Sequence, residues 1–71
     1  GAGRAVILNA ANEVAVGAFL DGRIGFLDIA LIVRKALDRY DPGSPSCLED
    51  VFAIDVEARA VARDAMETIG A

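Results

Sequence analysis

The chain has 71 residues, with seven basic and eleven acidic side chains, no His, no Trp, one Cys and 55% hydrophobic residues. A chain this short buries only about 60% of the surface its unfolded form exposes, so the expectation is a single small domain over residues 1–71, without a substrate cleft of its own. A formal charge of -4, with the basic residues scattered among acids, argues against nucleic acid as a partner, because phosphate neutralisation needs a basic cluster.

Fourteen of the hydrophobic residues are Ala, yet the mean hydropathy is still +0.44. Such a value in a surface-dominated chain implies a face that is buried against something else. Cys47 alone cannot staple the fold, and without His there is no Cys/His zinc pattern and no imidazole base. It reads as a small loop or helix-edge residue. No uncharged run exceeds the eight residues from Ala5 to Asn12, too few to span a bilayer, and the N-terminal residues lack a basic region followed by an apolar signal core. The expectation is a soluble, cytoplasmic chain with no membrane partner.

The first helix is predicted from Arg4 or Ala5 to Leu20, with Ile7, Leu8, Ala11, Val14, Ala15, Ala18 and Phe19 on one face at the i, i+3, i+4 spacing. Val6, Val16 and Leu20 lie on its other side, and Glu13 is its only charge between Ala5 and Leu20. A helix apolar nearly all round is expected to be central and covered on more than one side. Gly22 stands where a left-handed residue would close it.

A second helix is predicted from Leu27 to Tyr40, with Ile29, Ile32, Val33, Ala36, Leu37 and Tyr40 facing a core and Asp28, Arg34, Lys35, Asp38 and Arg39 facing water. Leu31 falls on the charged side, as a lone exposed residue or part of a docking patch. Asp41-Pro42-Gly43-Ser44-Pro45 must break the helix, since neither Pro donates to a helical ladder. Ser46 and Glu49 then read as a capping box. From Leu48 to Ile69 one face carries Val51, Ile54, Ala58, Val61, Ala62, Ala65 and Ile69, either as one helix or as two segments divided at Asp55, with Gly70 closing the last turn. The fold expected is all-α, a bundle of three to four helices with the first one central.

Asn9, Asn12 and Glu13 form the most distinctive polar group, set at i, i+3 and i+4 on an apolar helix. One reading makes Glu13 a general acid or metal ligand oriented by the two amides. The preferred reading is a structural polar network of Asn9, Asn12, Glu13 and Arg59, in which the two amides bond to backbone groups of neighbouring loops and Glu13 pairs with Arg59 or Arg63, because buried polar groups must be satisfied and one carboxylate with no second acid, His or Lys nearby is a poor catalytic set. Glu49 with Asp50 and Asp55 with Glu57 diverge around a helix, so capping or solvated roles are favoured over joint coordination of a cation. No glycine-rich phosphate-binding spacing occurs.

The run Ile7-Leu8-Asn9-Ala10-Ala11-Asn12-Glu13-Val14-Ala15-Val16, then Ala18-Phe19-Leu20, Ile24, Phe26, Asp28 and Ile29, closely resembles the start of the C-terminal domain of 1-deoxy-D-xylulose 5-phosphate reductoisomerases. Leu48-Glu49-Asp50-Val51, Asp55, Ala58-Arg59 and Val61-Ala62 resemble the end of the same domain. The resemblance implies a piece of a larger homodimeric enzyme that uses NADPH and Mg2+ or Mn2+ in the non-mevalonate route to isoprenoids. It also implies that the nucleotide, metal and substrate residues lie in preceding domains, so no catalytic, metal or cofactor residue is expected here. The partner implied is the catalytic domain of the same chain, which this segment would brace. Gly1-Ala2-Gly3, without an initiating Met, is what a chain trimmed at a domain boundary would show. The alternative is a free-standing helical interaction module.

Overall fold

A computed structural model describes residues 2–70, which form three helices: α1 (Ala2–Leu20), α2 (Phe26–Arg39) and α3 (Leu48–Gly70), with no strand among the described residues. α1 is central, packing against both other helices, as its nearly all-round apolar character requires. α1 and α3 run side by side in the same direction. Glu13 meets Arg59, and further along Gly17, Ala18 and Asp21 share a depression with Arg63 and Met66.

The core is built from small side chains. Of the thirteen buried hydrophobic residues among those described, eight are Ala, and only Ile7 and Ile32 are large and completely enclosed. α1 contributes Ile7, Ala10, Ala11, Ala15 and Ala18, α2 contributes Ile32, Val33 and Ala36, and α3 contributes Ile54, Ala58, Ala62 and Met66 to one cluster. Methyl side chains let helix axes approach closely, so packing here comes from dispersion over short distances. The predicted α2 face is the one buried or half-buried. On α1 the prediction needs correcting: Leu8 is 50% exposed, and Ala10 takes a place inside. When a helix is apolar on both sides, periodicity cannot choose which side turns inward.

The α1–α2 turn is closed by backbone bonds. Gly22 has φ 76°, its N–H donates to the Phe19 carbonyl at 3.0 Å, and the Arg23 N–H donates to the Ala18 carbonyl at 2.9 Å, a Schellman closure. Phe19 and Phe26 meet edge to face across it, with ring centroids 5.7 Å apart. The Asp28 carboxylate accepts from the Gly25 N–H at 2.9 Å and so caps α2. At the far end, the Tyr40 N–H still donates to Ala36, after which residues 40–47 carry no helix.

Two details of α3 differ from expectation. It is continuous through Asp55, because that carboxylate bonds Arg59 one turn on instead of capping a new segment. Its N-terminal cap is Asp50, not Glu49: the Cys47 carbonyl already accepts the first helical bond, from Val51, which makes Asp50 the third helical residue. The Asp50 carboxylate accepts from the Ser46 N–H at 3.0 Å and the Ser46 hydroxyl at 2.9 Å. Gly70 belongs to α3, and the closing turn expected there requires Ala71, outside the described residues.

Gly3 is buried where the connector crosses the start of α1, and a Cβ there would collide with the Gly43 carbonyl oxygen. Gly17, in the same helix, has open space around it. The same substitution at the two sites should therefore have opposite signs. Gly3→Ala is expected to destabilise by about 1–3 kcal/mol through overpacking against backbone, and Gly17→Ala to stabilise by about 0.5–1 kcal/mol through helix propensity. Urea unfolding of both variants checks this.

Candidate functional site

Arg59 on α3 is the centre of the charged contacts. Its Nε donates to Asp55 Oδ1 at 2.6 Å and its Nη2 donates to Glu13 Oε2 at 2.7 Å, so one guanidinium joins an i, i+4 carboxylate on its own helix to one on α1. The planar fork of Arg makes this possible, where an ammonium would offer a point charge. Asp55 and then Glu13 hold the Arg59 guanidinium above its ordinary pKa. The Glu13 side chain is 57% exposed, so the expectation of a buried acid is corrected: this is a surface bridge at the edge of the α1–α3 contact.

The expected polar group is divided. Asn9 and Asn12 are exposed, and neither makes a side-chain hydrogen bond among the described residues. Asn12 faces α2 while Glu13 faces α3, since consecutive residues point about 100° apart around a helix. Arg63, the other candidate partner of Glu13, is exposed and forms no ion pair among the described residues. A second bridge, Arg39 to Asp64 at 3.0 Å, ties α2 to α3. Its partners are 25 residues apart, beyond the reach of any local pattern.

On the opposite side of α1, an open groove of about 570 Å3 runs between α1 and α2. Leu8, Val16, Phe26, Leu27 and Leu37 line it, with Val33 buried below and Asn12 and Arg34 as its polar members. Leu31, 42% exposed, lies one turn beyond Leu27. Sequence periodicity missed this groove because it assigned Leu8 to the core and ended the apolar account of α2 at its stripe.

No three His, Cys, Asp or Glu side chains among the described residues are grouped so as to hold a metal ion, and Asp50 and Asp55 are committed to Ser46 and Arg59. The residues present therefore do not fit a divalent-cation site. Cys47 is exposed at the start of α3. Among the described residues, no helix is long and apolar enough to cross a membrane.

A small acidic, His-free helical unit with an open apolar groove has the surface of a piece that packs against something larger. A family model described as the DXP reductoisomerase C-terminal domain matches residues 1–61, and the chain belongs to that family. The 1-deoxy-D-xylulose 5-phosphate reductoisomerase of Zymomonas mobilis subsp. mobilis is 62% identical over 71 residues, covering 100% of this chain and 18% of the relative. That of Acidithiobacillus ferrooxidans is 52% identical over 62 residues, covering 87% of this chain and 16% of the relative. A solved structure, the Zymomonas mobilis reductoisomerase in complex with NADPH, superposes with a TM-score of 0.86 at 66% identity, covering 87% of this chain and 16% of that one. The chain thus spans less than a fifth of the length of these relatives.

Two predictions come from the charged contacts. Arg59→Lys, which cannot engage both carboxylates in the same way, should lower Tm by about 1–6 °C, with non-additivity in a Glu13→Gln/Arg59→Met cycle and a smaller effect at high salt, followed by thermal unfolding. The Ser46 amide, then its hydroxyl, lower the pKa of Asp50. A depressed folded-state pKa contributes stability that is present above the unfolded value of about 3.9 and is lost as pH falls through the lower folded value. The stability gap between the wild type and Asp50→Asn should therefore be full at neutral pH and close as acid is added, as read from urea titrations at a series of pH values.

Proposed function

We propose that the chain is the C-terminal structural domain of a reductoisomerase that uses NADPH to convert 1-deoxy-D-xylulose 5-phosphate to 2-C-methyl-D-erythritol 4-phosphate in the non-mevalonate route to isoprenoids. The observation that carries this reading is 62% identity maintained over all 71 residues to a protein of that name. In this reading residues 1–71 make a single helical domain that contributes no catalytic, metal or nucleotide ligand, and NADPH and Mg2+ or Mn2+ are held by preceding domains of the same cytoplasmic, homodimeric enzyme. Glu13 and Arg59 serve as a structural bridge between α1 and α3, and Asn9 and Asn12 as polar surface positions beside it. The role of the domain is to brace the catalytic domain.

The test compares the full-length protein with a version lacking this segment, following substrate-dependent NADPH oxidation. Full-length protein is expected to turn over, and the truncated version to lose soluble, active enzyme, while the 71-residue chain alone is inactive. Unchanged turnover after truncation would overturn the bracing role. An inactive full-length protein would overturn the assignment of activity.

A further inference from the structure

We draw no further inference here: the strongest candidate, the exposed apolar stripe of Leu48, Phe52 and Val56 along the outer face of α3, is an unpartnered helix face, and nothing in the structure shows what covers it.

Discussion

The close approach of α1 to its neighbours depends on side chains no larger than a methyl group. Ala10, Ala11, Ala15 and Ala18 share the core with Ala36, Ala58 and Ala62, so much of the interior is filled by methyl groups that put little side-chain volume between the helices. Each such residue removes little apolar area from water, and the larger share of burial per residue falls to Ile7, Ile32, Ile54 and Met66. The arrangement also explains why Gly3 and Gly43 touch: when helices lie this close, the connector crossing the start of α1 finds no space above a side chain.

Small side chains in the core leave the alignment of the helices to their margins. α3 carries Arg59 toward α1 and Asp64 toward Arg39 of α2, so it is registered to both by charge at partly exposed positions. Bridges of this kind contribute little to stability individually. Their value lies in direction, because a methyl-lined interface tolerates sliding better than one in which large side chains interlock. The remaining flank of α1, from Leu8 to Val16, is left to the groove, and the central helix is thereby covered on two sides and open on a third.

Much of this was legible in the sequence where one physical signal acted alone. α2 has a wet face and a dry face, and its buried residues followed directly from the stripe. Gly22 announced its turn because few other residues adopt a positive φ freely. Reading failed where two signals competed. α1 is apolar on both sides, so Leu8 and Ala10 exchanged places. Asp55 was equally a cap and an i, i+4 partner, and the presence of Arg59 decided for the partner. Ser46 was assigned as the cap one position too early, which moved the acid from Asp50 to Glu49. Met66 was absent from the predicted face, and the Arg39–Asp64 bridge spans 25 residues with no local trace. The specific run from Ile7 to Val16 carried the family, whereas the periodic residues carried only the fold.

An alanine core has an asymmetric relation to mutation. Loss of the methyl to Gly costs about 1 kcal/mol in a helix through backbone entropy alone, while adding carbons forces the helices apart at about 1–3 kcal/mol. A position such as Ala58 or Ala62, fully enclosed, therefore has unfavourable neighbours in both directions of size. Single steps away from alanine are closed, and drift at one such site requires a matched change of volume on the facing helix. The interior of this small bundle is held in place less by the strength of its contacts than by the lack of any neighbouring side chain that fits.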